Sequence, residues 1–327
     1  MYCFFCLLCT TAKNLYVSRA RNLKEKNMLL PGIFTGYYPY TMDEVIKRIK
    51  ASDFSCVQLD VSFKDCDSAK EYLSKQKAIE IRNKFRDANL PVVAVSAYTN
   101  LIHPDPDKRK ANIAYIKMMM ERALDLGCPY VVSETGTYNR DSDWVWHDNN
   151  ASEAVYQETC EVIYDVTKFA REHGAIYIVE NYVNNVIGSV EQVLRLFQDI
   201  NLPNIKLLCD PTNYFDESNI DDVDNQLRRI FDALSDKMVV AHAKDCKRAE
   251  STEEKHADID ADESHTFRGS GAVELPAAGL GVLNYDLYVK LLAKDHPNMP
   301  IIIEHLDETD IKRAQGFLND VLKRQGV

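Results

Sequence analysis

The segment that indicates the fold most directly is Ile176–Glu180, which reads IYIVE, four apolar residues followed by one carboxylate. Three later segments repeat this arrangement, because each is an apolar run that ends on a carboxylate or an imidazole. They are Leu207–Asp210, Val239–His242 and Ile301–Glu304. Short, nearly continuous apolar runs of this kind are typical of parallel β-strands that are buried on both faces.

The same pattern extends along the chain from Leu29 onward, where short apolar runs alternate with longer amphipathic stretches. The apolar runs predict eight strands: Leu30–Phe34, Ser55–Leu59, Pro91–Ser96, Tyr130–Ser133, Ala175–Glu180, Ile205–Asp210, Met238–Ala243 and Pro300–Glu304. The amphipathic stretches predict helices at Thr41–Ile49, Asp107–Leu126, Ser152–Glu172, Ser189–Gln198, Asp221–Leu234, Tyr285–Ala293 and Glu308–Lys323. Thr41 followed by Glu44 predicts a capping box, and Gly127 predicts a helix C-terminus.

Strand–helix repeats of this number favour a single-domain α/β protein, a (β/α)8 TIM barrel. A doubly wound open sheet is the alternative, although such sheets usually contain fewer strands. We assign residues 29–327 to the barrel and interpret residues 1–28 as a flexible N-terminal extension. The long polar segment 144–150 and the insertion 246–278 both follow strand ends, on the face where the active sites of barrels are built.

Composition limits the classes of partner. The chain has 327 residues, and its 50 acidic and 39 basic residues give a formal net charge of -11. This balance argues against a nucleic-acid partner, which needs a cationic surface. No apolar run reaches the roughly 18 to 20 residues of a membrane-spanning helix, so no membrane partner is expected. Nine cysteines at irregular spacing indicate buried thiols in a reducing compartment, and we expect a cytoplasmic protein.

The N-terminal cysteines allow a second interpretation. Cys3, Cys6 and Cys9 could form a metal knuckle, but the sequence places no fourth ligand near them. We interpret them as part of the extension. The positive charges of this region follow the apolar stretch instead of preceding it, which argues against a secretory signal.

The four strand-end side chains are candidate ligands of one divalent metal ion: Glu180, Asp210, His242 and Glu304. A charge at the mouth of a barrel costs several kcal/mol if it stays unpaired, and a shared cation removes that cost. Each residue alone is also compatible with an ordinary solvated carboxylate or a hydrogen-bonded core histidine. Three carboxylates and one imidazole suit Mn²⁺, Mg²⁺, Co²⁺ or Zn²⁺, and we favour Mn²⁺.

These motifs, in this order, resemble the xylose-isomerase-like barrels of the sugar phosphate isomerase/epimerase superfamily, which include ketose 3-epimerases and inosose dehydratases. The resemblance runs from about Gly32 to the C-terminal helix. It is carried by Ile178–Asn181, Cys209–Asn213, Ala241–Asp245 and Ile303–His305, by Gly279–Gly281 with Asn284 and Tyr285, and by Ala123–Pro129.

The resemblance implies an isomerase that acts on a sugar or a sugar phosphate. The residues that match Glu180, Asp210, His242 and Glu304 bind the metal in that family. In its epimerases the two glutamates also exchange the substrate proton, through an enediolate. These epimerases carry a histidine at the position of Asn213, which leaves the substrate open. Arg248 corresponds by spacing to a family arginine that lies six residues beyond the metal histidine.

Further residues on the same face are candidate substrate contacts. Lys244 could neutralise an oxyanion or a substrate phosphate, or form a structural salt bridge. Glu134 could bind a substrate hydroxyl or hold a ligand in place. His103 could contact substrate or pack within its loop.

Two further groups of residues could contact the ring or a phosphate of the substrate. Trp144 and Trp146 could form an apolar wall against a sugar ring, or fix their own loop. The glycines of the long insertion could let backbone N–H groups approach a phosphate, or serve as turn residues, so phosphorylation of the substrate stays open. They are Gly269, Gly271, Gly279 and Gly281.

Three other functions remain open from the sequence. An inosose-type dehydratase would use the same metal, but its enediolate would lose water. An abasic-site endonuclease of the same superfamily would need more histidines than the eight present. A non-catalytic barrel would keep the metal-ligating residues and bind a sugar without converting it. An assembly of identical subunits is compatible with each of these functions.

Overall fold

The computed structural model describes residues 28–249 and 272–327. Apart from Met28, the predicted extension at residues 1–28 lies outside the described residues. So do Gly269, Gly271 and the central part of the insertion 246–278.

The described chain forms a closed barrel of eight parallel strands, which confirms the predicted fold. The order around the barrel is β1–β8–β7–β6–β5–β4–β3–β2, and β1 pairs with both β8 and β2. The strands β1 to β8 are Leu30–Phe34, Cys56–Leu59, Val92–Ser96, Tyr130–Glu134, Ile176–Glu180, Ile205–Cys209, Met238–Ala243 and Pro300–Ile303. Each prediction is therefore correct to within about one residue at either end.

Eight α-helices of the described residues surround the strands. The helices α1 to α8 are Met42–Ala51, Lys75–Asp87, Pro106–Arg122, Glu153–Glu172, Val190–Ile200, Val223–Leu234, Tyr285–Asp295 and Ile311–Gln325. The sequence analysis missed α2. It also placed the end of α3 at Leu126, whereas the helix ends at Arg122 and a turn continues to Gly127.

The capping box predicted at Thr41 is wrong. The Thr41 side chain makes no capping hydrogen bond, and the Glu44 carboxylate, which would reach back to the Thr41 N–H in such a box, pairs with Lys47 and Arg48 instead. A capping box forms at Ser189 and Gln192, at the start of α5.

Alternation along the strands separates two apolar layers. One large core lies between the barrel and its helices, and a smaller cluster fills the barrel interior. Interior residues of the last four strands are Ile178, Leu208, Val240 and Ile302. Because side chains two residues apart in a strand share a face, the residue two positions after each of these also points inward, at the barrel mouth.

Two short hairpins follow strand ends. Ser62–Phe63 pairs with Cys66–Asp67 after β2, and Lys247–Arg248 pairs with Val273–Glu274 after β7. Among the helices that the structure describes, none has the length and apolar character needed to cross a bilayer. The six cysteines in the described part of the chain are buried and unbridged: Cys56, Cys66, Cys128, Cys160, Cys209 and Cys246.

Candidate metal centre and cavity

The four predicted ligands meet at one point. Each of Glu180, Asp210, His242 and Glu304 offers one ligand atom, and these atoms all lie within 4.8 Å of one another. All four residues are buried. Each stands two positions after an interior aliphatic residue of its strand, so the pleat alone directs it into the mouth of the barrel.

The imidazole of His242 is oriented toward the carboxylates. Its Nδ1 lies 3.1 Å from Glu304 Oε1 and 3.6 Å from both Glu180 Oε1 and Asp210 Oδ2. On the other side of the ring, Nε2 lies 2.9 Å from Gln58 Oε1. Since an amide oxygen only accepts hydrogen bonds, Nε2 carries the proton, and the lone pair of a neutral ring is on Nδ1.

The buried atoms fit a metal ion. His242 Nδ1 is buried and makes no hydrogen bond, while the buried Asp210 Oδ2 and Glu304 Oε1 have the Lys244 ammonium as their cationic neighbour. Buried polar atoms are almost always satisfied, so an unsatisfied imidazole nitrogen that faces three carboxylates indicates a missing partner. Three oxygens and one imidazole nitrogen are suitable donors for a divalent cation of intermediate hardness. The four residues could therefore hold a metal ion.

Lys244 partly neutralises the cluster. Its ammonium Nζ lies 2.8 Å from Asp210 Oδ2, 3.0 Å from Glu304 Oε1 and 2.8 Å from Asn213 Oδ1. Three carboxylates carry three negative charges and Lys244 offsets one of them. The two that remain match the charge of a divalent ion.

Electrostatic coupling shifts the pKa values of these groups. Burial alone would raise the pKa values of Glu304 and Asp210, but His242 and Lys244 hold both below their ordinary values. Burial opposes a charge on His242, yet Glu304, Glu180 and Asp210 together raise its pKa well above the ordinary value. Without a metal, a proton on His242 offsets part of the carboxylate charge. The surroundings of the cluster thus favour a positive charge at its centre.

Glu180 is held by two donors. Asn213 Nδ2 donates to Glu180 Oε1 at 2.9 Å, and the Tyr98 hydroxyl donates to Glu180 Oε2. Tyr98 also accepts from Gln58 Nε2 at 3.2 Å. Burial, with Glu180 and Glu304 adding to it, raises the pKa of Tyr98 well above its ordinary value, so its hydroxyl keeps its proton. One hydrogen-bond network therefore connects Glu180 through Tyr98 and Gln58 to His242.

A cavity of about 380 Å³ opens beside the cluster. Glu180 and Glu304 line it, together with Asn213 and Lys244. Glu134 lines it as well, and burial followed by repulsion from Glu180 raises the pKa of Glu134 well above its ordinary value. The structure thus brings three predicted substrate contacts, Glu134, Asn213 and Lys244, to the candidate metal centre.

The structure does not bring His103 or Arg248 to this cavity. His103 is buried in its own loop, where Nε2 lies 3.1 Å from Arg140 O and Nδ1 accepts from Asp105 N. Arg248 lies in the hairpin after β7 and pairs with Asp221 at 2.7 Å. Packing within a loop and a surface ion pair account for their positions, and neither residue lines the cavity.

Only one of the two tryptophans lines the cavity. Trp144 does, whereas Trp146 lies in a separate surface depression and is 41% exposed. The glycines near the end of the insertion surround Asp245. Gly279 N donates to Asp245 Oδ2 at 2.9 Å, and a Cβ at Gly281 would lie 2.4 Å from Asp245 Oδ1. These glycines therefore let the backbone approach a carboxylate of the protein itself.

The sequence analysis missed three residues of the site. Gln58 had a recognisable signal, because it is the one polar residue of the strand Cys56–Leu59. Tyr98 and Asp60 lie just beyond the ends of β3 and β2, and both line the cavity. Residues of ordinary loop composition at these positions carry no signal of their own.

Comparisons with known proteins agree with this geometry. The family model described as "Xylose isomerase-like TIM barrel" matches residues 46–321. No match was found among the curated proteins.

Several solved structures share the fold at low identity. A xylose isomerase-like TIM barrel protein from Mycobacterium smegmatis in complex with magnesium is 13% identical, with a TM-score of 0.64 over 90% of this chain and 95% of that one. The probable 3-DHS dehydratase AsbF from Bacillus anthracis is 15% identical, with a TM-score of 0.65 over 91% and 99%. A D-psicose 3-epimerase from Clostridium cellulolyticum H10, solved with D-tagatose, is 14% identical, with a TM-score of 0.60 over 91% and 98%.

At these identities the solved structures support the fold alone. The family model, in contrast, spans most of the sequence and includes all four residues of the metal cluster. The chain therefore belongs to the xylose isomerase-like TIM barrel family.

Proposed function

We propose that this protein is a metal-dependent isomerase or epimerase of a sugar, a sugar phosphate or a related polyol. The observation that carries the proposal is the pair Glu180 and Glu304, two glutamates that share one candidate metal centre and line one cavity. A similar fold in a solved D-psicose 3-epimerase is consistent with it.

The cluster would supply Lewis-acid chemistry. A bound divalent cation, with Mn²⁺ favoured over Mg²⁺, Co²⁺ and Zn²⁺, would polarise a substrate carbonyl and stabilise negative charge on its oxygen. Lys244 Nζ, which lies 2.8 Å and 3.0 Å from two of the carboxylates, would limit their mutual repulsion.

Proton transfer would fall to the two glutamates. Glu180 ends β5 and Glu304 follows β8, and two strands separate β5 from β8, so their carboxylates reach the cavity from different sides. One carboxylate would take the proton from the carbon beside the carbonyl, while the electrons of the C–H bond delocalise onto the carbonyl oxygen. Return of a proton by the other carboxylate to the opposite face would invert that carbon. Return to the former carbonyl carbon, with transfer of the proton of the adjacent hydroxyl to the former carbonyl oxygen, would exchange aldose and ketose.

The hydrogen bonds around Glu180 suit this role. Asn213 and Tyr98 each donate to it, and these two hydrogen bonds hold the carboxylate in a fixed orientation. Tyr98 lines the cavity and could also donate to a substrate oxygen. Trp144 would offer an apolar wall for the carbon face of a sugar.

The test is solvent-proton exchange by Glu180→Gln and Glu304→Gln in deuterated water with Mn²⁺ added. Wild-type enzyme should place deuterium on the epimerised carbon of a turned-over ketose, detected by NMR. Each variant should lower turnover by about 10²- to 10⁴-fold, the usual contribution of a general acid or base. Glu161→Gln removes an exposed carboxylate of α4 and should leave the rate unchanged.

Metal content is measured beside the rate, because both glutamates are also candidate ligands. Near-normal rates in both variants would contradict the proposal. A product lighter by one water would show a dehydratase instead. Sugars that raise the melting temperature without any deuterium incorporation would show a non-catalytic binder.

A further inference from the structure

The side of the cavity opposite the metal cluster is built from acidic and hydroxyl groups. It includes Asp60 and Ser62, just beyond the end of β2, and Asp67 and Ser68 in and after the following hairpin. In the barrel β2 stands opposite β6, the strand that precedes Asp210. A bound molecule that reaches the cluster with one end would therefore meet these groups with the other.

Asp60 has unused hydrogen-bonding capacity. Its Oδ2 accepts one hydrogen bond from Ser62 Oγ at 2.6 Å, and no lysine or arginine among the described residues pairs with its carboxylate. Asp67 is different, because it accepts from Ala69 N and forms an ion pair with Lys70 at 2.8 Å. Asp60 is therefore a carboxylate on this side that has no cationic partner among the described residues and can still accept a hydrogen bond from a ligand hydroxyl.

Within the described part of the chain, the basic residues that line the cavity are Lys244 and His305. Lys244 Nζ donates to Asn213 Oδ1 and forms ion pairs with Asp210 and Glu304, all within 3.0 Å. His305 Nδ1 lies 3.0 Å from Leu275 O, and its Nε2 lies 4.0 Å from Glu304 Oε1. Both side chains therefore lie beside carboxylates of the cluster, and the charge of Lys244 is already paired.

In the described part of the loop after β7, a place where TIM barrels frequently bind phosphate, the backbone has no free anion site. Its N–H groups bind the carboxylate of Asp245 instead. Cys246 N and Leu283 N donate to Asp245 Oδ1 at 2.9 Å each, and Gly279 N donates to Oδ2 at 2.9 Å. Asp245 is only 1% exposed, so an anion of the protein itself fills this loop.

From these contacts we infer that the substrate is an unphosphorylated polyhydroxy carbonyl compound, and that Asp60 accepts a hydrogen bond from one of its hydroxyls remote from the reacting carbons. The inference rests on the proposed function and narrows its substrate class. A phosphate ester would place a dianion beside the carboxylates of Asp60 and Asp67, and no unpaired lysine or arginine of the described residues lines the cavity, whereas a hydroxyl would give Asp60 a further donor.

The test compares matched sugar pairs on the full-length chain loaded with Mn²⁺. The pairs are D-fructose, D-psicose and D-tagatose, each with its 6-phosphate. Binding is measured by titration calorimetry, and turnover is followed by deuterium incorporation. We expect at least one free sugar to bind at least about tenfold more tightly than its phosphate, as one unpaired charged hydrogen bond implies. Inorganic phosphate serves as the control for direct coordination to the metal.

Asp60→Asn tests the specific residue. It should weaken binding of the preferred free sugar by about 10- to 100-fold, which is the contribution of a hydrogen bond to a charged group. The difference in affinity between the free sugar and its 6-phosphate should become smaller. Asp53→Asn makes the same charge change at an exposed position and should bind as wild type does.

The outcomes separate the two proposals. A phosphate ester that binds as tightly as its free sugar, or more tightly, would overturn the inference and leave the isomerase proposal standing. Free sugars that bind selectively but never exchange a proton would support the inference and contradict the isomerase proposal. Binding of no sugar from any pair would contradict the inference.

Discussion

Gln58 determines which ring nitrogen of His242 faces the carboxylates. Its amide oxygen accepts from Nε2, and its amide nitrogen donates to Ser96 Oγ at 3.1 Å and to the Tyr98 hydroxyl. These hydrogen bonds lie in the barrel interior, where Gln58 is fully buried. A group that holds a ligand histidine in one tautomer commonly changes metal affinity when it is removed.

We therefore predict different effects for two substitutions of similar shape. Gln58→Met removes the acceptor and should weaken Mn²⁺ binding by about 10- to 100-fold. Gln58→Glu keeps an acceptor for Nε2 and should lose less affinity. Calorimetric titration of both variants checks this, with circular dichroism to confirm folding. Wild-type affinity in Gln58→Met would show that the Gln58 contact does not position His242.

Asp60 makes a separate prediction about stability. Burial, with Asp67 adding to it and Ser62 opposing it, raises the pKa of Asp60 from 3.8 to about 6. Between these two values the folded protein binds more protons than the unfolded chain, so the free energy of unfolding falls as pH rises through that window. Asp60→Asn has no such charge. The difference in free energy of unfolding between Asp60→Asn and wild type should therefore shift in favour of the variant by about 1–2 kcal/mol from about pH 4 to about pH 7. This figure allows for partial solvent screening of Asp60.

Urea unfolding of wild type and Asp60→Asn at the two pH values measures this gain. Parallel pH dependence in the two proteins would rule out a raised pKa at Asp60. If Asp60→Asn gains stability and also binds sugar more weakly, the Asp60 carboxylate lowers the stability of the fold and contributes to sugar binding.

At the scale of elements, the strands and their ends could be predicted because burial on both faces leaves little freedom in composition. A single apolar run that ends in a carboxylate or an imidazole has ordinary explanations, but its recurrence on four successive strands predicts that these side chains converge at a barrel mouth. Helix α2 was missed because its buried face consists of only Ala78, Ile81 and Phe85 in a mostly charged segment. Gln58 and His242, which are 184 residues apart, meet only because the barrel closes, and no local pattern could show that contact.

The strand β1 approaches its neighbours closely at one glycine. A Cβ at Gly32 would lie 2.6 Å from Ile302 Cδ1 and 2.8 Å from Cys56 O. Gly32→Ala should therefore lower the free energy of unfolding by about 1–3 kcal/mol through overpacking. Gly316 offers a matched control, since it lies exposed in α8 and a Cβ there would meet nothing within 4 Å.

Gly316→Ala should raise the free energy of unfolding by about 0.5–1 kcal/mol, because alanine restricts the unfolded chain and favours a helix. Urea denaturation of both variants provides the comparison. An unchanged or higher stability in Gly32→Ala would mean that the barrel wall between β1, β2 and β8 is not tightly packed at this point.

At the scale of the whole molecule, the closed barrel collects one side chain from each of four consecutive strands and surrounds them with an acidic cavity. This acidic lining suits the small polyhydroxy substrate of the proposed function. The strand ends suffice to predict that these four side chains lie together, as a cluster that could hold a metal ion. The cavity depends on how loops after β2, β3 and β4 converge, which sequence patterns do not determine.

The metal centre is the claim on which the proposed chemistry depends, and anomalous X-ray diffraction from crystals grown with Mn²⁺ tests it most directly. We predict one manganese peak per chain, bound by oxygens of Glu180, Asp210 and Glu304 and by Nδ1 of His242, with Nε2 still directed at Gln58. Crystals that show no peak at these four side chains, or manganese bound only elsewhere, would contradict the account.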